Sequence, residues 1–153
     1  MMIDSAGATG PVIQLQMKFR APRPKVYQCW TDPALLKKWF FVEEGYENTA
    51  AEIDLKPLGK YRLGMAKCAS GKNEQTVFTG YYHTIVPNER LSYTWMTENR
   101  GTYWTLVTAR FVDDGAGSLV ELVHGVFEND EDRQLHEQGW MGCVTQLGKL
   151  IEG

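Results

Sequence analysis

Two histidines carry most of the acid–base chemistry open to this sequence. His124 ends an apolar alternation, Val120, Leu122, His124, and His136 stands on the apolar stripe of the C-terminal segment. The two rings are therefore expected to face a common interior from opposite layers. Histidines so placed could orient a ligand's polar head or exchange protons near neutral pH. The competing role is that of a hydrogen-bonded core histidine. The sequence favours that role, because no carboxylate is obviously placed to orient either ring. Glu121 neighbours His124, but strand alternation turns it to the opposite face. Cys143 shares a helical face with His136, yet two turns separate them by about 10 Å along the axis. A Cys–His nucleophilic pair is therefore not expected. Cys29, Cys68 and Cys143 show no CxxC spacing, which gives neither a zinc site nor a disulfide framework. They read as reduced, mostly buried thiols. No GxSxG, P-loop, GxGxxG after a strand or HExxH is present. The expectation is no catalytic residue, no metal site and no cofactor.

The large aromatic residues suggest binding rather than turnover. By alternation Tyr61, Leu63 and Met65 share one face, as do Leu91, Tyr93 and Trp95, and Tyr82 and Val107 lie on neighbouring strands. Leu122 and His124 extend that surface, and the C-terminal segment opposes it with His136, Trp140, Cys143 and Leu147. With Trp39, these residues are the expected lining of a ligand cavity, since such pockets are mostly apolar with a few polar groups. Tyr and Trp suit the task because each joins a large apolar body to one polar tip. The alternative is that the same side chains fill a closed core, and the sequence leaves both open.

The elements that must position these residues can be read in order. Residues 1–11 are small and polar and are expected to be disordered. Ile13 to Phe19 alternates as a half-buried strand. Pro24 suits the first turn of a helix carrying Val26, Tyr27 and Trp30 on one face. At Thr31-Asp32-Pro33 a second helix begins, with Thr31 or Asp32 as its cap and Leu35, Leu36, Trp39 and Phe40 as its apolar stripe. From about residue 50 the period changes to two. Strands are expected around Ile53–Leu55, Tyr61–Met65, Val77–Val86, Leu91–Trp95, Thr102–Val112 and Ser118–Phe127. Gly80 marks a bulge or tight bend, and the Asp113–Gly117 stretch a hairpin turn. Strands joined by such short turns are antiparallel. Asn129 or Asp130 then caps a helix of roughly five or six turns, with apolar residues recurring every three or four positions. One sheet face needs a cover, and this helix is the element large enough to provide it.

This order resembles the helix-grip fold of the START-like (SRPBCC) superfamily. Several sequence words are similar to those of the heat-shock-protein-90 ATPase activator (Aha) homologue family. They are Arg20-Ala21-Pro22, Trp30-Thr31-Asp32-Pro33 with Leu36 and Trp39, Gly80-Tyr81-Tyr82, Pro87-Asn88-Glu89-Arg90-Leu91 and Thr94-Trp95, followed by Val123-His124-Gly125-Val126-Phe127 and His136 with Gly139-Trp140. Pro57-Leu58-Gly59-Lys60 departs from the family's common Gly-Gly turn, which should alter a loop and not the fold. The resemblance implies an α+β domain over residues 12–153, in which a curved antiparallel sheet of about six or seven strands wraps a long C-terminal helix and two short helices follow the first strand. It also implies a cavity between sheet and helix, suited to a small apolar or amphipathic molecule. Two other roles come with it: a co-chaperone or stress-response interaction module, with a chaperone as partner, and a cyclase- or dehydratase-type enzyme using a cavity histidine.

Composition narrows the partners. The 153 residues carry a formal net charge of −3, which disfavours nucleic acid and anionic membranes, since both attract a basic face. No apolar run is long enough to span a bilayer, and the N-terminus lacks the pattern of a signal peptide. A cytoplasmic monomer or homodimer is expected. An exposed Trp104 would add a surface for dimerisation or partner binding.

Overall fold

Alternation fixes the sheet. In the strand Ile13–Phe19 the odd positions are buried and the even ones exposed, so Ile13, Leu15, Met17 and Phe19 commit one face to the interior. The same rule places Tyr61, Leu63 and Met65, then Leu91, Tyr93 and Trp95, and then Val120, Leu122 and His124 inside. The computed structural model describes residues 2–5, 11–101 and 103–153. Its strands are β1 (Met2–Ser5), β2 (Ile13–Phe19), β3 (Tyr46–Ile53), β4 (Lys60–Lys67), β5 (Thr76–Val86), β6 (Arg90–Thr97), β7 (Thr105–Asp114) and β8 (Gly117–Gly125). Its helices are α1 (Arg23–Thr31), α2 (Pro33–Leu36) and α3 (Asp130–Glu152). The strands form one antiparallel sheet in the order β1-β2-β8-β7-β6-β5-β4-β3.

The architecture is the expected helix-grip, with eight strands rather than six or seven. The additional strand is β1, in a stretch where no disorder-breaking apolar pattern is visible; its backbone pairs with β2 from Met2↔Lys18 to Ser5↔Leu15. Residues 1 and 6–10 of the segment expected to be disordered, and Thr102 of the strand expected over Thr102–Val112, lie outside the described residues. Asp32 caps α2 by accepting from the Ala34 amide at 2.9 Å. α2 stops at Leu36, so Trp39 and Phe40 enter the core from a turn rather than a helix. Asn129 caps α3, accepting from the Asp132 amide at 2.8 Å, and Asp130, Glu131 and Asp132 complement the positive end of the helix dipole.

Gly80 and the bulge are separate features. The register between β5 and β6 shifts between Tyr82 and Thr84, which makes His83 the extra residue. Gly80 instead permits a close backbone approach: a Cβ there would sit 2.0 Å from the Thr94 carbonyl oxygen. The β7–β8 hairpin closes over Gly115-Ala116, with Gly115 at φ +61°.

Candidate functional site

Six α3 positions, Asp132, Leu135, His136, Gly139, Trp140 and Cys143, recur at spacings of three and four and so form one helical face. That face meets the inward residues of the central strands: Met65 on β4, Thr76 and Phe78 on β5, and Trp95 and Thr97 on β6. Phe40, Val42 and Tyr46, leading from α2 into β3, close the side. Between them lies a cavity of about 390 Å³. Gly139 helps to keep it open, since a Cβ built there meets nothing within 4 Å. The walls are flat rings: Phe78 stacks on Trp95 at 4.5 Å, Trp140 lies 5.5 Å from Trp95, and Phe40 lies 6.2 Å from Phe78. Lys67, Glu74 and Arg100 are exposed and ring the mouth with both signs of charge.

The two histidines have different surroundings. His124 is fully buried behind the cavity wall. The Trp140 indole N–H, which can only donate, gives its hydrogen bond to His124 Nδ1 at 3.0 Å. A neutral ring must then carry its proton on Nε2, which donates to Thr105 Oγ1 at 2.6 Å. Burial, with His136 as the smaller cause, holds the His124 imidazole well below its ordinary value. Both nitrogens are occupied and the charged form is disfavoured, so His124 is suited to fixing Trp140 rather than to moving protons. His136 lines the cavity. Its Nδ1 donates to the Asp132 backbone carbonyl at 2.9 Å and lies 3.3 Å from the Asp132 carboxylate. A carboxylate does therefore stand beside one of the rings, contrary to the sequence expectation. It comes from the preceding helical turn, the i,i+4 relation that a strand-based search passes over. The sheet-side faces of His136 are enclosed by Phe127 at 4.9 Å and His124 at 5.5 Å between ring centres.

Of the residues expected to line a cavity, Met65, Trp95, His136, Trp140 and Cys143 do so. Trp39, Tyr61, Leu63, Tyr82 and Tyr93 surround a second void of only about 10 Å³. That is at the lower limit of about 10–15 Å³ for one water, so this end is filled by its own side chains. Val107, Leu122, His124 and Leu147 show no exposure and belong to the solid core. Sequence reasoning missed Phe78, Tyr46, Val42, Thr97 and Arg100 at the cavity. Phe78 shares strand parity with Tyr82, and Asp132, Leu135 and Gly139 share helical spacing with His136, so those signals were present. Nothing in the sequence brings the segment around Val42 to α3; in the structure the helix crosses so closely that a Cβ on Gly142 would lie 2.2 Å from the Val42 carbonyl oxygen.

The buried thiol of Cys143 is pushed up by desolvation and stays protonated, which removes the thiolate a nucleophile needs. Trp95 holds the one indole N–H among the buried tryptophans without a partner. Those of Trp30, Trp39 and Trp140 bond Tyr93 Oη, the Cys29 carbonyl and His124. A helix-grip arrangement of this kind supports a ligand-binding type of domain in general. Among the described residues, no helix is long and apolar enough to cross a membrane.

Comparison with solved structures agrees with the fold. Protein CV1439 from Chromobacterium violaceum is 28% identical, with a TM-score of 0.80 over 94% of this chain and 98% of that one. The AHSA1 protein SPO3351 from Silicibacter pomeroyi is 20% identical, with a TM-score of 0.79 over 92% and 97%. CalU16 from Micromonospora echinospora is 24% identical, with a TM-score of 0.73 over 99% and 87%. No curated protein matches the chain. The family model described as activator of Hsp90 ATPase homolog 1-like protein matches residues 20–152, and the chain therefore belongs to that family, within the START-like fold that its sheet and long helix display.

Proposed function

We propose that this chain binds a small, largely apolar or amphipathic molecule in the cavity beneath the N-terminal half of α3. The observation that carries the reading is the aromatic-walled space of about 390 Å³. It lies within the range of about 300–1,000 Å³ typical of ligand pockets. Three free cysteines, with Cys68 exposed, fit a reducing compartment, and we place the activity in the cytoplasm.

Titration with 1-anilinonaphthalene-8-sulfonate tests the reading. Wild-type protein should enhance the dye's fluorescence with a saturable, one-site curve. Gly139→Phe, whose Cβ meets nothing within 4 Å and whose ring would occupy the space, should weaken binding by about ten-fold or more, or about 1.4 kcal/mol. An unchanged urea midpoint shows that the variant still folds. Equal dye binding by both proteins would overturn the reading.

A second reading, a chaperone-related interaction module, is favoured by one surface feature. Trp104, Leu106, Val123 and Val126 are exposed around the β7–β8 ladder, where Leu106 pairs with Gly125 and Thr108 with Val123. If the reading holds, the protein should alter a cognate chaperone's ATPase rate and Trp104→Ser should abolish the change.

A further inference from the structure

We infer that the cavity is built for a planar ligand bearing a weakly acidic hydroxyl, such as a phenol or enol, whose O–H is donated to His136 Nε2. This rests on the cavity reading and specifies its ligand class.

The argument begins with the proton on Nδ1. A backbone carbonyl can only accept, so the 2.9 Å bond from His136 Nδ1 to the Asp132 carbonyl fixes a proton on Nδ1. In the neutral ring Nε2 is then a bare acceptor, and among the described residues it has no hydrogen-bond partner. This ring lines the cavity, so its free edge offers a guest an acceptor beside the aromatic wall, while the Asp132 carboxylate, also in the lining, lies 3.3 Å from Nδ1. Among the other polar groups, Lys67, Glu74 and Arg100 are exposed, Thr76 and Thr97 offer neutral hydroxyls, and Cys143 offers a protonated thiol. The Asp132 carboxylate, 3.3 Å from Nδ1, helps to hold the ring in this orientation. As an acceptor Nε2 prefers the more acidic donor. The walls decide the rest of the ligand. Phe78 and Trp95 stack at 4.5 Å and present flat faces, which favours a planar guest. A carboxylate pushed among these rings would lose its hydration and meet the Asp132 carboxylate, at a far higher cost than a neutral hydroxyl.

The test compares 2-naphthol, 2-methoxynaphthalene and naphthalene by isothermal titration calorimetry against the full chain. Wild-type protein should bind 2-naphthol about five- to ten-fold more tightly than its methyl ether, the range expected for one hydrogen bond. His136→Leu should bind both within about two-fold of each other while retaining affinity for naphthalene. Asp132→Asn should narrow the preference without changing affinity for the ether. A readout without any variant is the nitrogen shift of His136 Nε2 by NMR, which should move with 2-naphthol and not with the ether. If the ether and the naphthol bind wild-type protein equally, the hydroxyl subsite is refuted and the cavity reading survives. A preference that persists in His136→Leu also refutes it. If none of the three binds, both readings fall together.

Discussion

The space between α3 and the sheet has two ends built from the same residue types, and only one of them is full. At the packed end Trp30, Trp39, Tyr61, Tyr82 and Tyr93 close around about 10 Å³. At the open end Phe40, Phe78, Trp95 and Trp140 border about 390 Å³. What differs is the supply of side chains from the covering layer. The α1–α2 corner delivers Trp30 and Trp39 into the packed end, with ring centres 5.1 Å apart. α3 delivers Gly139, with no side chain, into the open end. Polar tips follow the same division. In the packed end Trp30 bonds Tyr93, Trp39 bonds the Cys29 carbonyl, and the Tyr61 hydroxyl donates to the Thr94 carbonyl at 2.5 Å. In the open end the Trp95 N–H is left over. Burial raises the hydroxyls of Tyr61, Tyr82 and Tyr93 above their ordinary range, so the packed end stays uncharged. Aromatic content alone therefore does not make a pocket; a missing plug does.

The largest test of this contrast is a pair of truncations. Trp39→Ala removes a side chain that is 1% exposed and should cost about 3–5 kcal/mol of stability in urea unfolding. Phe78→Ala, on the wall of the open end and only partly buried, should cost about 1–2 kcal/mol. Equal losses would mean that the two ends are packed alike.

Two α3 glycines provide the next test. Gly142→Ala drives a Cβ to 2.2 Å from the Val42 carbonyl oxygen, and such overpacking should destabilise by about 1–3 kcal/mol. His124 bears on the same boundary through pH. Its folded-state value is lowered, so the unfolded chain binds a proton that the folded chain refuses. Stability should be complete above the unfolded value of about 6.5 and fall as pH drops below it, by up to about 1.4 kcal/mol per pH unit. Comparing urea midpoints across that window with those of His124→Phe isolates the effect; an identical slope in the variant would show that another group is responsible. The smallest effect is Gly139→Ala. Nothing opposes its Cβ, so the gain in helix propensity should stabilise by about 0.5–1 kcal/mol. Destabilisation there would mean that the open end is smaller than drawn.

Much of the fold was legible in local pattern. Period-two burial identified β2 and β4 to β8, and the three-and-four spacing after Asn129 identified α3; β3 was expected around Ile53–Leu55 but runs over Tyr46–Ile53, where burial does not alternate. β1 was not legible, because Met2–Ser5 is held by backbone pairing to β2, and its Met2 and Asp4 are exposed. The site was only half legible. Parity showed which residues point inward, and Met65, Trp95, His136, Trp140 and Cys143 do meet at the cavity. It could not show that Tyr61, Tyr82 and Tyr93 would be met by tryptophans from the α1–α2 corner while Phe78 would be met by a glycine.

The sequence by itself determined direction: which side of each strand and helix is apolar, because side-chain periodicity is a local property of the backbone. Tertiary structure alone decided occupancy. Whether an inward face meets a ring or a gap depends on the register between α3, the α1–α2 corner and the segment carrying Phe40 and Val42. That register is set by close approaches such as Gly142 to Val42, between residues a hundred positions apart. No local period encodes a contact of that range.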